Sequence, residues 1–229
     1  MRALCLFFLL CLIQSTLSAQ EHVVLLHGLT RTPKSMQKMK AALVTEGYIV
    51  LNFGYESTRY KIEMLADELR SRIVEATGKS EKVHFVTHSM GGILVRQIQA
   101  TNPIPNIGRV VMLSPPNKGS EVVDEIGHWR LFQIVNGDAG QQLSTNADSF
   151  VNQLPAIDFE CGILTGDRSV NWINSSMIPG EDDGKVSVES AQIEGMSAFK
   201  IVHTTHPVIM KKAEVIEDVK QFLKTGAFN

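Results

Sequence analysis

The chain has 229 residues, of which 22 are basic and 24 acidic, and its formal net charge at pH 7 is −2. This length suits one α/β domain with a substantial core. Because the charges nearly balance, the chain has no excess of basic residues that would attract nucleic acid or an acidic membrane surface, and we expect neither as a partner.

The first segment, residues 1–19, has the pattern of a secretory signal peptide. Arg2 supplies a positive charge, residues 3–13 form an uncharged apolar run, and Ala19 is a small residue suited to cleavage. The apolar run is shorter than the roughly 20 residues of a membrane span. We therefore predict an exported protein, periplasmic or secreted, with no stable membrane span and a mature domain at residues 20–229.

The cysteines fit this prediction. Cys5 and Cys11 lie in the predicted signal peptide, which leaves Cys161 alone in the mature chain. One cysteine forms no internal disulfide, so we expect the exported domain to depend on its hydrophobic core.

Short β-branched runs alternate with longer segments of helical periodicity along the mature chain. This alternation is typical of a mostly parallel sheet with helices on both faces, and it predicts an α/β fold in a single domain. Most of the strand candidates are continuously apolar, as expected for strands buried on both faces. The six predicted strands are 22–26, 48–53, 82–87, 109–113, 160–165 and 199–203. The four predicted helices are 33–46, 62–77, 90–100 and 208–224.

Two stretches are less regular, residues 115–154 and 167–185. The first is rich in Gly, Asn, Gln and Ser, and we predict a small cap or an irregular loop region without a long amphipathic helix. Both stretches are expected on the carboxyl side of the sheet, where long loops usually carry function.

The most informative motif follows the third predicted strand and reads His88-Ser89-Met90-Gly91-Gly92. A strand that ends at a serine among small residues and turns at once into a helix holds the hydroxyl in a strained turn. Such a turn projects Oγ away from the backbone and leaves the next N–H free to bind a developing oxyanion. The motif predicts that Ser89 is a nucleophile, with His88 and Gly91 supporting the turn.

A neutral serine needs a base within hydrogen-bonding reach and a carboxylate to orient that base. Three histidines follow Ser89. His128 precedes the expected acid and fits a loop or cap role, whereas the alternation of the last strand would point His203 into the packing of the sheet. His206, in the loop before the last helix, is the favoured base, and His203 is the second candidate.

Two aspartates compete for the role of the acid, with Asp182 a distant third. Asp167 follows the fifth strand directly, whereas Asp183 precedes Gly184, which permits a tight turn, and Val186, which can anchor the turn inward. The alternative interpretation is that residues 181–183 form a solvated acidic turn. We favour Asp183 over Asp167.

The oxyanion needs two N–H donors. Met90 provides one at the amino end of the third helix, where the helix dipole adds to the field. We predict the second donor at Leu29, in the loop after the first strand, with Gly28 allowing the backbone to turn and His27 holding the loop.

These motifs resemble those of compact members of the α/β-hydrolase superfamily, in the lipase and carboxylesterase branch. The matching features follow the family's order: His27-Gly28, the Ser89 elbow, Asp183-Gly184-Lys185-Val186 and His206. Residues 55–59 and 205–210 further resemble a group of small bacterial predicted esterases, whose matching histidine is the general base. This resemblance favours His206 over His203. One departure is Thr87, where the family's elbow usually has glycine.

The resemblance implies a serine hydrolase that cleaves carboxylic esters through an acyl-enzyme, acting on a small-molecule acyl ester or a lipid. It implies no cofactor, and the sequence has no cluster of His, Cys or carboxylates with the spacing of metal ligands. Two alternatives stay open: an acyltransferase that uses the same triad, and a non-catalytic binding protein on a hydrolase fold. The sequence leaves the oligomeric state open.

Overall fold

The computed structural model describes residues 21–78, 80–170 and 175–229. The predicted signal peptide lies outside the described residues. Six strands form one sheet in the order β2-β1-β3-β4-β5-β6, and every neighbouring pair is parallel. The predicted α/β architecture is therefore confirmed. The strands are β1 (His22–Leu26), β2 (Ile49–Phe53), β3 (Val83–His88), β4 (Ile107–Leu113), β5 (Cys161–Gly166) and β6 (Ala198–Val202).

Helices connect the strands and cover the sheet. Those in the described ranges are α1 (Gln37–Thr45), α2 (Ile62–Thr77), α3 (Met90–Thr101), α4 (Glu121–Ile126), α5 (Arg130–Gln141), α6 (Phe150–Gln153), α7 (Val188–Ala191) and α8 (Ala213–Thr225). Two short 3₁₀ helices, Pro33–Met36 and Ile209–Lys211, precede α1 and α8.

The core has two layers because successive side chains of a strand point to opposite faces of the sheet. In β1, Val24 and Leu26 belong to the layer that includes residues of α2 and α3, whereas Val23 and Leu25 belong to the layer that includes residues of α1 and α8. Helices thus cover both faces, and this explains why the strands read as continuous apolar runs.

Two predicted helices begin with a different structure. The segment predicted as one helix from residue 33 begins as a 3₁₀ turn and becomes α-helical at Gln37. The last helix begins at Ala213 rather than at residue 208, because Lys212 is extended with φ −71° and ψ 133° and separates α8 from the preceding 3₁₀ turn.

The stretch 115–154 contains three helices, α4, α5 and α6. The 12-residue α5 buries Ala139 and Gly140 and exposes Leu131 and Ile134. Gly137 interrupts it with φ 61° and ψ −165°, and a side chain there would collide with the backbone of Thr58. Glycine permits this close approach because it has no Cβ and tolerates a positive φ.

Arg96 ties the stretch 115–154 to α3. Its buried guanidinium donates to the carbonyl oxygens of Asn117 at 2.8 Å, Val151 at 3.2 Å and Leu154 at 3.3 Å. Burial lowers the pKa of Arg96 to about 10. These hydrogen bonds offset much of the cost of burying the charge, and they fix the stretch against α3.

Candidate active site

Ser89 occupies a sharp turn between β3 and α3. The strand ends at His88 and the helix begins at Met90, so the serine alone makes the reversal, with φ 53° and ψ −126°. Its N–H donates to the carbonyl oxygen of Leu113 in β4 at 2.8 Å. A residue with a Cβ pays about 1–3 kcal/mol for such a backbone conformation. The strained strand–turn–helix junction expected from the sequence is present.

Close backbone packing explains the glycines near this turn. A Cβ on Gly91 would lie 2.7 Å from the carbonyl oxygen of Leu26, and one on Gly28 would lie 2.8 Å from Nδ1 of His88. The start of α3 therefore packs directly against the end of β1 and the loop that follows it. Thr87, which stands where the family's elbow usually has glycine, is fully buried in β3 and does not prevent the turn.

Asp183 and His206 form a buried pair. Nδ1 of His206 donates to Oδ2 of Asp183 at 2.8 Å, and the His206 backbone N–H donates to the Asp183 carbonyl at 2.9 Å. Oδ1 of Asp183 accepts from the backbone N–H groups of Lys185 at 3.1 Å and Val186 at 3.0 Å. Asp183 is only 1% exposed, so it does not belong to a solvated turn. With Nδ1 donating, Nε2 of His206 is the nitrogen left to accept a proton.

The second candidates for base and acid pair with each other elsewhere. Nδ1 of His203 lies 3.0 Å from Oδ1 of Asp167, and Nε2 of His203 lies 3.3 Å from the Arg168 guanidinium. The His203 side chain is 68% exposed. The expectation that it packs into the sheet was wrong, because β6 is an edge strand and His203 lies just beyond its end.

The two remaining candidates have other environments. Asp182 accepts from Ser175 Oγ at 2.9 Å and from the Gly184 N–H at 2.6 Å, contacts that shape the turn around Asp183. His128 is exposed, with its ring edge against Trp129.

Ser89 and His206 line one cavity of about 600 Å³, including its open mouth. Much of its apolar wall comes from the stretch 115–154. The apolar residues are Leu29, Pro116, Val122, Val123, Phe132, Leu143 and Val186, and the other lining residues are Thr30, Arg31, His88, Ser120, Asn136 and Lys185. The structure thus brings the candidate nucleophile and the candidate base to the same cavity.

The loop after β1 presents a backbone donor to this cavity. Arg31 N–H donates to the Gly28 carbonyl at 3.1 Å, and Thr30 N–H donates to Ser57 Oγ at 3.1 Å. Leu29, which lines the cavity, has no hydrogen-bond partner for its N–H within the part of the chain that the structure describes. The N–H of Met90 lies in the first turn of α3, where no helical carbonyl can accept it.

His27 and Tyr55 support the same loop. Nδ1 of His27 donates to the Gly28 carbonyl at 2.9 Å, and its ring stacks on Tyr55 with the centroids 4.0 Å apart. The Tyr55 hydroxyl donates to the His27 carbonyl oxygen. Burial lowers the pKa of His27 and raises the pKa of Tyr55. Sequence reasoning assigned no role to Tyr55 or Ser57 individually, although both lie in the segment 55–59 that carried a resemblance.

Two cations at the cavity were also missed. Arg31 and Lys185 both line it, and they come from the loop after β1 and the turn after Asp183. Desolvation lowers the pKa of Lys185, and the charge of Arg31 lowers it further, against the opposing effect of Asp183. Their positions depend on how two distant loops meet, which no local sequence pattern reports.

The order of these elements and the site geometry can be compared with known proteins. The family model described as alpha/beta hydrolase fold matches residues 21–171. The chain belongs to the α/β-hydrolase family.

Solved structures share the fold of this α/β hydrolase. The mature Bacillus licheniformis lipase BlEst2 is 21% identical, with a TM-score of 0.70 over 92% of this chain and 94% of that one. The Pyrococcus furiosus esterase Pf2001 is 18% identical, with a TM-score of 0.63 over 90% of this chain and 82% of that one.

One sequence relative is a Xenopus laevis lysosomal thioesterase, PPT2-B, 32% identical over 119 residues. The match covers 48% of this α/β hydrolase and 41% of the relative, so it spans less than half of either chain.

Within residues 21–78, 80–170 and 175–229, no group of three or more His, Cys, Asp or Glu side chains is arranged to hold a metal ion. None of the helices in these ranges combines the length and the apolar character that crossing a membrane requires.

Proposed function

We propose that this α/β hydrolase is a serine hydrolase that cleaves carboxylic esters through an acyl-enzyme, with Ser89, His206 and Asp183 as its triad. One observation carries the proposal: His206, hydrogen-bonded to the buried Asp183, and the strained Ser89 line the same cavity. A strained turn and a buried carboxylate both lower the stability of the fold, and both are characteristic of enzyme active sites.

In the first half of the reaction, Oγ of Ser89 attacks the carbonyl carbon of the ester while Nε2 of His206 takes its proton. The carbonyl oxygen becomes negatively charged and accepts hydrogen bonds from the N–H groups of Leu29 and Met90. The intermediate collapses as the bond to the leaving oxygen breaks. His206 gives its proton to that oxygen, an alcohol departs, and the acyl group remains on Ser89.

In the second half, water attacks the acyl-enzyme and His206 takes its proton. The second tetrahedral intermediate collapses, the carboxylic acid leaves, and His206 returns the proton to Ser89. Asp183 does not itself change protonation. It holds the imidazole with Nδ1–H toward the carboxylate and stabilises the imidazolium that forms twice in each cycle.

The lining of the cavity supports an acyl substrate with an apolar part, since residues such as Val122, Phe132 and Leu143 face it. A thioester is the second candidate substrate because the same residues perform the same attack on it. The Xenopus relative, which is named a thioesterase, supports that candidate.

The test uses the purified protein with p-nitrophenyl esters of increasing acyl length and with the matching thioesters. A fluorophosphonate probe, which reacts with activated serines, should label Ser89, as located by peptide mass spectrometry. Ser89→Ala should abolish both turnover and labelling while the protein remains folded by circular dichroism. Normal turnover by Ser89→Ala would overturn the proposal.

The same assay separates hydrolysis from acyl transfer. With an alcohol such as glycerol present, a hydrolase releases mainly the free acid, whereas an acyltransferase releases mainly the new ester. Product analysis by chromatography distinguishes the two. Wild-type protein that neither turns over any acyl probe nor reacts with the fluorophosphonate would instead support a non-catalytic binding protein.

We propose further that the protein acts outside the cytoplasm. The signal-like pattern of residues 1–19 supports export. Cys161 is the one cysteine in residues 20–229 and is buried, so we expect the exported domain to be stable without an internal disulfide. The mass of the protein isolated from the periplasm or culture medium of an expressing bacterium tests this. Cleavage after Ala19 is expected, and full-length protein confined to the cytoplasm would contradict it.

A further inference from the structure

We infer that Arg31 and Lys185 form an anion subsite in the cavity beside Ser89, and that the enzyme prefers esters or thioesters that carry a carboxylate or phosphate. This inference rests on the proposed function, and it adds the substrate class. The observation behind it is that two cationic side chains line a cavity that contains no carboxylate among its lining residues.

Neither cation has a directly bonded acidic partner in the part of the chain that the structure describes. Among the described residues, the Arg31 guanidinium and the Lys185 ammonium form no ion pair and no side-chain hydrogen bond. The nearby carboxylate of Asp183 accepts hydrogen bonds from His206 and from two backbone N–H groups. Asp183 offsets part of the charge of Lys185, but two cations face one nearby carboxylate, so the potential in the cavity stays positive.

The pKa shifts of two groups at the cavity indicate that the charges of Arg31 and Lys185 both act there. The charge of Arg31 lowers the pKa of Lys185, so the two cations repel each other. Both also contribute to the lowered pKa of His88, the residue next to Ser89. An anion bound between them would relieve this repulsion and receive charge-assisted hydrogen bonds from both.

The two cations are carried by segments that are themselves fixed. Arg31 donates its backbone N–H to the Gly28 carbonyl at 3.1 Å, within the loop that presents Leu29. Lys185 donates its backbone N–H to Asp183 Oδ1 at 3.1 Å and accepts from Ser120 Oγ at 2.6 Å through its carbonyl. The subsite is thus built into the same two loops that hold the oxyanion donor and the acid.

The position of the subsite defines the substrate. The scissile bond lies at Ser89, an apolar portion contacts residues such as Val122 and Phe132, and the anionic group lies at Arg31 and Lys185. The planar guanidinium binds two oxygens of a carboxylate or phosphate at once, which an uncharged amide or methyl ester cannot match. A neutral ester would leave both cations without a partner.

Two pairs of probes place the charge on either side of the scissile bond. Mono-p-nitrophenyl suberate is compared with its methyl ester, and these two probes differ only in the charge at the far end of the acyl part. 4-Carboxyphenyl butyrate is compared with 4-carbamoylphenyl butyrate, and these two probes differ in the charge on the alcohol part, which is the leaving phenol. In one pair at least, wild-type kcat/KM should favour the charged probe by about tenfold or more, and added salt should reduce the preference.

Variants assign the preference to the two residues. Arg31→Gln and Lys185→Gln should each reduce the ratio of kcat/KM between the charged and the neutral probe, and the double variant should bring it close to one. Lys34→Gln is the matched control, because it removes an exposed cation near the same loop that does not line the cavity. It should keep the wild-type ratio.

The outcomes separate this inference from the proposed function. Equal turnover of the charged and neutral probes in both pairs overturns the anion subsite and leaves the hydrolase proposal standing. If no probe is turned over, the hydrolase proposal fails, and calorimetric binding of suberate and 4-hydroxybenzoate to the wild-type protein decides the subsite. The anion subsite is overturned if suberate and 4-hydroxybenzoate bind no more tightly than dimethyl suberate and 4-hydroxybenzamide. It is also overturned if the double variant binds the two anions as tightly as the wild type.

Discussion

His88 donates its Nε2–H to the carbonyl oxygen of His206 at 3.0 Å, with the two rings 4.8 Å apart. The residue before the candidate nucleophile therefore holds the backbone of the candidate base. Burial lowers the pKa of His88 well below its usual value, and the neighbouring His206 adds to this effect. The neutral ring thus links the elbow to the loop that carries the imidazole of His206.

This link makes stability depend on pH in a defined direction. The folded protein keeps His88 neutral at pH values where the unfolded chain protonates it, so the unfolded state binds more protons below the unfolded pKa of about 6.5. The free energy of unfolding should therefore fall as the pH decreases below about 6.5, and one such histidine contributes up to about 1.4 kcal/mol per pH unit.

Urea unfolding at a series of pH values between about 5 and 8 measures this slope. In His88→Gln the amide nitrogen can replace Nε2 as donor without titrating, and the slope should become shallower by the contribution of one histidine. His128→Asn, which removes an exposed imidazole, controls for the loss of a histidine as such. The same slope in His88→Gln and in the wild type would show that His88 does not cause it.

The positions of Ser89 and Met90 could be predicted because the elbow is a local pattern. A buried strand, one serine and a helix rich in small residues fix where the hydroxyl lies, whatever the rest of the chain does. The pairing of Asp183 with His206 needed more than local pattern, since two aspartates and two histidines were available. Gly184 and Val186 favoured Asp183. The loop position of His206 and the family resemblance favoured that histidine, and the structure pairs the two side chains at 2.8 Å.

Other features depend on tertiary contacts that the sequence does not encode locally. Arg31 and Lys185 meet at one cavity only because their two loops converge there. The exposure of His203 follows from its place beside an edge strand, which requires the strand order to be known. The kink of α5 at Gly137 likewise depends on a close approach to the backbone of Thr58, which lies far away in the sequence.

Backbone strain at the elbow predicts a variant that gains stability as it loses activity. Ser89→Gly removes the Cβ that makes φ 53° and ψ −126° unfavourable, and after allowing for the greater flexibility of unfolded glycine it should raise the free energy of unfolding by about 1 kcal/mol. Ser89→Ala keeps the Cβ and should bring no such gain. Urea unfolding of the three proteins tests this, and equal stability of the Gly and Ala variants would refute the strain argument.

The two Asp–His pairs predict opposite results for two matched substitutions. Asp183→Asn replaces the acceptor at Nδ1 of His206 and should lower kcat for ester hydrolysis by about 10⁴-fold, because the imidazole loses its orientation and the stabilisation of its charged form. Asp167→Asn alters only the exposed pair with His203 and should keep kcat within about twofold of the wild type. Initial rates with a p-nitrophenyl ester measure both. An inactive Asp167→Asn beside an active Asp183→Asn would reverse the assignment.

The loop that presents Leu29 predicts a catalytic effect from a residue outside the triad. Tyr55→Phe removes the hydroxyl that donates to the His27 carbonyl but keeps the ring that stacks on His27. The carbonyl is then left buried without that donor, which should lower the free energy of unfolding by about 1–3 kcal/mol.

Because His27 precedes the turn to Leu29, the N–H of Leu29, which we propose as an oxyanion donor, should also move. A displaced donor weakens the transition state more than the bound ester, so kcat should fall by about tenfold or more while KM changes little. Tyr48→Phe is the matched control, since the described structure gives the Tyr48 hydroxyl no hydrogen bond and its ring packs in the other core layer. A Tyr55→Phe protein that is less stable but keeps the wild-type kcat would show that the position of Leu29 does not depend on this hydrogen bond.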